Sequence, residues 1–388
     1  MKKNLFLLFA FYIATFSAQG KKFYEGGEVF LKNDIEKVTL TFANELPLIK
    51  VGINGKTYQF LFDTGAPTVI SSAVYEELNL KKKHKSSVRD SQKNKQQQIF
   101  TELPEMTVDQ MVFKNIGAVV VDLQGPEFGC LKIDGILGAN QMSKLFWRIN
   151  YSENMLEATK DLNKFPTKDY ETVFTFTSRS QKTPILSAEI LGKKMNMTFD
   201  TGFTGAIKIS ENNFDHQNAK VKSVETYGAN SVGAFGTGKP QSSYYFKADD
   251  VMFAGQKFNN EIVMTGNSNL LGNEFLKNFT FIIDWENNKI YIHRIKTVPV
   301  KLESYGFAYR FIDNKAKVVL VFREKNIPLE IDDEILSIND TSFENLNKEL
   351  SCQYLLQRVE KSTDFIDVKV KRGDQILNFK VAKKEYLN

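Results

Sequence analysis

Two short runs of this 388-residue chain carry the residue types that carboxylate chemistry needs, Asp63-Thr64-Gly65 and Asp200-Thr201-Gly202. Two carboxylates held about 3 Å apart cannot both ionise, so such a pair shares one proton. The ionised member then serves as general base towards a water, while the protonated member polarises a carbonyl. Thr64 and Thr201 can hydrogen-bond across an interface and fix the pair. Gly65 and Gly202 let the chain turn sharply and offer backbone N–H groups to the carboxylates. Asp63 and Asp200 are thus the catalytic candidates, supported by Thr64, Gly65, Thr201 and Gly202. The three histidines, His84, His216 and His293, are too scattered to suggest a metal site, and no cofactor is expected.

The elements that must position the two Asp residues form an internal repeat. Leu46-Pro47 through Asp63-Thr64-Gly65 lies over Thr183-Pro184 through Asp200-Thr201-Gly202 at a constant offset of 137 without a gap. Each copy reads as a strand, a tight turn (Asn54-Gly55 or Gly192-Lys193) and a second strand running into the Asp. Further on, Asp134-Gly135-Ile136-Leu137-Gly138 corresponds to Asn269-Leu270-Leu271-Gly272, and Phe146 through Tyr151 to Thr280 through Trp285. Each copy is expected to be one all-β lobe, over residues 28–162 and 163–297, joined near residues 160–169.

With its partner motifs in place, this region resembles the pepsin-like and retropepsin-like aspartic proteases, in the bacterial two-lobed form. The family pattern, hydrophobic-hydrophobic-Asp-Thr-Gly followed by hydrophobic-hydrophobic-Gly, is met by Leu61-Phe62-Asp63-Thr64-Gly65 with Ile136-Leu137-Gly138. It is met again around Asp200 with Leu270-Leu271-Gly272. The resemblance spans about residues 30–297. It implies a mostly β, bilobal acid-protease β-barrel fold and the hydrolysis of peptide bonds in a polypeptide substrate. Ala66 follows the first Gly, as in retroviral enzymes, and Phe203 the second, where pepsins carry a hydroxyl. A missing hydroxyl donor implies a raised dyad pKa and activity nearer neutral pH.

The family also implies a β-hairpin flap over the substrate. One candidate is residues 88–102, with a polar tip over 91–98. The other runs from Tyr227-Gly228 through Gly233 to Phe235 and Gly238, and has the glycine density a moving lid uses. An ordinary exposed loop is the alternative for each.

After Val298-Pro299-Val300, residues 301–386 read as a small α+β domain: a strand opening at Tyr305-Gly306-Phe307-Ala308, an alternating strand within 331–340, a helix over 346–359 and a hairpin around Arg372-Gly373-Asp374. That order resembles a PDZ domain. The resemblance implies that Tyr305, Gly306, Phe307 and Ala308 form a carboxylate-binding loop for a C-terminal peptide. Packing against the preceding lobes is the alternative role. Asp332 and Asp340 replace two glycines of the family pattern.

Lys2 and Lys3, the apolar run from Leu5 to Phe16, and Ser17-Ala18 describe a secretory signal peptide over residues 1–18. A membrane anchor is the alternative, though the run is short for a bilayer. The expectation is a secreted or periplasmic monomer without membrane insertion after signal removal. A net charge of +5 with no basic–aromatic stripe excludes a nucleic-acid partner. Cys130 and Cys352, in separate domains, are expected to be free, buried thiols. The leading function is an aspartic endopeptidase; a peptide-binding scaffold without catalysis and a self-processing enzyme stand beside it.

Overall fold

The computed structural model describes residues 6–7, 11–12, 23, 25–218, 220–229, 231–296, 301–357, 360 and 363–388. Apart from Phe6–Leu7 and Phe11–Tyr12, the expected export segment lies outside them, as do Asn230, Val298-Pro299-Val300, Arg358 and Val359.

Strands dominate, and the repeat is visible in their register. In the first copy, Leu46–Ile53 pairs antiparallel with Lys56–Asp63 across Asn54-Gly55. Both turn residues have positive φ, 50° and 76°, which suits a two-residue hairpin. In the second copy, Pro184–Ile190 pairs with Lys193–Phe199, with Ile190 opposite Lys193. The turn is therefore Leu191-Gly192, one residue earlier than expected, and Leu191 takes φ 52°. The gapless offset holds here against side-chain preference, because strand register is set by the buried face. Gly135–Gly138 then runs parallel to Lys56–Asp63, with Gly138 opposite Asp63. Leu270–Leu271 does the same beside Thr198 and Phe199.

The copies are joined by strands from both. Glu36–Thr39, Met155–Thr159 and Phe146–Asn150 pair in turn, and Phe146–Asn150 pairs across to Phe279–Asp284 of the second copy. That strand continues to Lys289–Arg294 and Thr172–Ser178. Trp147, Ile149, Phe281 and Ile283 are fully buried here, in an apolar core continuous between the copies. The residues between them form only two short 3-10 turns, Leu162–Lys164 and Thr167–Asp169.

The C-terminal unit places Phe307–Ile312, Lys315–Phe322, Glu334–Ile338, Phe365–Arg372 and Gln375–Ala382 in one sheet beside the helix Lys348–Gln357. Two features tie it to the rest. Lys315–Phe322 pairs with Ser223–Gly228 of the second copy, and the Val319 carbonyl sits where a Cβ on Gly228 would be. On the other side, the helix Pro126–Leu131 of the first copy packs on Lys348–Gln357 through a Cys130–Cys352 disulfide, with the two Cα atoms 4.9 Å apart. The cysteines are therefore not free thiols. Their sequence separation of 222 hid a contact that arises only when the C-terminal helix docks. Beside them, buried Arg310 faces Glu127 at 3.6 Å.

Candidate active site

Asp63 ends one strand and Asp200 directly follows its counterpart, and both strands become wholly buried as they arrive. Their loops meet head-on. The Thr64 N–H donates to Thr201 Oγ1 at 3.0 Å, and the Thr201 N–H donates to Thr64 Oγ1 at 3.1 Å. Each hydroxyl then donates onward, Thr64 to the Phe199 carbonyl (2.7 Å) and Thr201 to the Phe62 carbonyl (2.8 Å). All four bonds are buried, where an unmade hydrogen bond is costly, so the two loops hold one arrangement.

Gly65 N–H donates to Asp63 Oδ1 at 2.7 Å, and Gly202 N–H to Asp200 Oδ1 at 2.9 Å. The other oxygens, Asp63 Oδ2 and Asp200 Oδ2, are buried and accept no hydrogen bond from another described group. Each carboxylate presses on the opposite loop. A Cβ on Gly65 would stand 2.5 Å from Asp200 Cγ, and one on Gly202 would run into the Asp63 carboxylate. Close approach thus requires glycine at both places.

Burial raises the Asp63 pKa well above the usual carboxylate range. The Asp200 charge raises it further, against the Gly65 and Ala66 N–H groups. Burial raises Asp200 as well, while a proton shared from Asp63 and the N–H groups of Gly202 and Phe203 pull it back. Two unprotonated carboxylates could not share this space. One proton between them, carried by Asp63, removes the repulsion and gives the orphaned oxygens a bond.

Several supporting residues escaped sequence reasoning. Asn273 donates to the Thr201 carbonyl at 2.7 Å and accepts from the Tyr151 hydroxyl at 2.9 Å. Asn140 Oδ1 accepts from the Thr68 N–H and hydroxyl. Gln181 and Thr183 both donate to the Gly65 carbonyl. Asn140 and Asn273 sit just past the two Leu-Gly motifs, a position that was the available signal. Gly138 and Gly272 back onto the Asp loops so closely that a Cβ would strike Thr68 or Phe203.

Residues 49–141 match the family model of aspartyl proteases. The aspartyl protease match takes in Asp63-Thr64-Gly65 and Ile136-Leu137-Gly138, and stops before the second copy. No curated protein matches the chain.

Within the aspartyl protease span, Lys82–Asp90 and Lys95–Val108 form a hairpin with its turn at residues 91–94, narrower than the expected tip. From the second copy, Ser231–Gly233 pairs with Gly236–Thr237 and meets that hairpin. Asp90 Oδ2 accepts from the Phe235 N–H at 2.9 Å, and Asn94 donates to the Thr237 carbonyl at 3.3 Å. Gly233 and Phe235 are therefore at a hairpin contact. Tyr227 and Gly228 lie in the stem of the second hairpin, opposite Ser242 and Gln241, and on their other edge pair with Val321 and Leu320 of the C-terminal unit, where Arg323 lies over the Tyr227 ring. Tyr305 and Gly306 precede the strand that Phe307 and Ala308 open in the C-terminal sheet, and Ala308 packs against the apolar cluster that holds Phe203 of the Asp200 loop. Gly306 takes φ 82°, and the Tyr305 hydroxyl donates to the Thr363 carbonyl at 2.7 Å.

Proposed function

We propose that the protein is an exported aspartic endopeptidase in which Asp63 and Asp200 form one dyad. The observation that carries this reading is the pair of inward, buried Oδ2 atoms that only a shared proton reconciles. Asp200, ionised, takes a proton from a water whose oxygen attacks the scissile carbonyl carbon. Asp63 gives its proton to the carbonyl oxygen, so charge does not accumulate on the tetrahedral intermediate. Collapse transfers the proton on Asp200 to the leaving nitrogen, breaks the C–N bond and returns a proton to Asp63. The Thr64–Thr201 bonds keep the carboxylates at working distance through the cycle.

The two touching hairpins suit a roof that must part for an extended peptide. Export is supported by the basic-then-apolar N-terminus and by the disulfide, which belongs to oxidising compartments. The C-terminal unit, with Gly306 before a strand and the helix Lys348–Gln357, is read as a PDZ-like module that receives a peptide terminus or partner.

The test is cleavage of a denatured protein by the purified chain across about pH 3–8, with Asp63→Asn and Asp200→Asn as controls. Cleavage by the wild type that each variant loses supports the dyad. A folded wild type that cuts nothing would leave a peptide-binding scaffold as the better reading.

A further inference from the structure

Lys208 lies in the strand Ile207–Ser210, which leaves the Asp200 loop and returns beside Leu270–Leu271. Ile207 and Ile209 point into the main core, so Lys208 faces the opposite way. Strand register identifies its counterpart. Lys208 stands opposite Leu270 as Val69 stands opposite Ile136, and Leu270 and Ile136 are equivalent residues of the two Leu-Gly motifs. Val69 belongs to an apolar cluster with Val88 and Phe100 of its own hairpin and Val232 and Ala234 of the other. The two positions are therefore equivalent in register, and each packs against hairpin residues, Val69 with Val88, Phe100, Val232 and Ala234, and Lys208 with Ser231.

Their chemistry differs sharply. Lys208 is fully buried, and its Nζ donates to Ser231 Oγ of the second hairpin at 2.9 Å. Its stem runs over Gly266, where a Cβ would collide with it. Among the described residues no carboxylate forms an ion pair with it. Glu211 attracts it from further away, and that carboxylate accepts from Gln241 Nε2 at 2.6 Å. An ammonium has three donors and Lys208 uses one. Burial pushes its pKa down to about 7, the expected cost of a desolvated cation without an anion.

We propose that Lys208 is a specificity-determining residue, giving the second copy's substrate pocket a preference for an acidic side chain, Asp or Glu, opposite an apolar residue at Val69. The proposal rests on the peptidase reading and deepens it. A carboxylate entering this pocket meets a cation whose desolvation cost is already met, and it fills the unused donors. An amide of the same shape lacks the charge.

The experiment compares two peptides that place Phe beside Glu or beside Gln at their centre, in both sequence orders, with the full-length protein. The wild type should cleave the Glu peptide with kcat/KM roughly tenfold or more above the Gln peptide in one order. In Lys208→Met and Lys208→Gln that ratio should fall to about one, and in Lys208→Glu it should favour a Lys peptide. Two variants guard against one that fails to fold. A wild-type ratio near one, or a preference that survives both substitutions, overturns the proposal. A second arm measures binding of the same peptides to Asp63→Asn by fluorescence anisotropy. Preferential Glu binding that Lys208→Met removes, without cleavage by the wild type, would sink the peptidase reading and keep the Lys208 site. Equal binding of both peptides, or binding of neither, would overturn the site itself.

Discussion

The Asp90 carboxylate of one hairpin is capped by the Phe235 N–H of the other at 2.9 Å, and it also accepts from the Gln92 and Asn94 N–H groups. One side chain thus shapes its own turn and closes the gap between the copies. Asp90→Ala removes the acceptor of four hydrogen bonds, from the Phe235, Gln92 and Asn94 N–H groups and the Asn94 side-chain amide, at a cost of about 1–3 kcal/mol to the closed arrangement. Amide exchange over residues 91–94 and 233–237 should quicken, and KM should rise more than kcat falls. Unchanged exchange at both tips would show that Asp90 does not hold them.

The Thr64–Thr201 exchange predicts a different signature. Thr64→Val keeps the shape but orphans the Thr201 N–H and the Phe199 carbonyl, for a loss of about 2–4 kcal/mol. Thr64→Ser keeps the hydroxyl and should recover most of it. Denaturant midpoints of the three proteins check this. A valine variant as stable as the wild type would mean that the two bonds of the Thr64 hydroxyl contribute little.

The dyad sets the sign of a pH effect. Both carboxylates titrate above their ordinary value of about 4. A group whose folded pKa is raised contributes stability fully below its unfolded pKa and loses it as pH rises through the folded pKa. Asp63→Asn should therefore raise Tm more at about pH 8 than at about pH 4. For the same reason the singly protonated dyad persists to higher pH, and the wild-type pH–rate maximum should lie above about pH 4. A larger Tm gain in acid would contradict the burial argument.

Removing the disulfide should loosen the C-terminal unit without touching the carboxylate loops. Cys130→Ser with Cys352→Ser should cost about 2–5 kcal/mol. Limited proteolysis should then release the C-terminal unit sooner than in the wild type, and the oxidised wild type should migrate faster than the reduced on a denaturing gel. Equal mobility would mean that the bond is absent in the purified protein.

Gly65→Ala tests the close approach. Its new methyl would overlap the Asp200 carboxylate, so cleavage should be lost while the fold survives with a lower Tm. Cleavage at the wild-type rate would show that the carboxylates sit further apart.

Asp63, Asp200 and their flanking Thr and Gly residues were legible because a gapless repeat must place equivalent residues at equivalent points of two β units. The strands ending at each Asp were legible from apolar runs bounded by turn residues, as was the C-terminal hairpin at Arg372-Gly373-Asp374, observed with Gly373 at φ 59°. The turn at Leu191-Gly192 was displaced because local turn chemistry favours a residue that register does not.

What the sequence determined by itself was local pattern and its repetition: two carboxylate loops, their Leu-Gly partners and a distinct C-terminal unit. Only the tertiary structure decided that Thr64 and Thr201 lock the loops, that Asp90 caps Phe235, that Cys130 bonds Cys352, and that Lys208 is buried where its counterpart Val69 is apolar. These are contacts between segments far apart in the chain. Residue spacing encodes periodicity within an element, whereas desolvation and hydrogen-bond partners depend on which elements pack together.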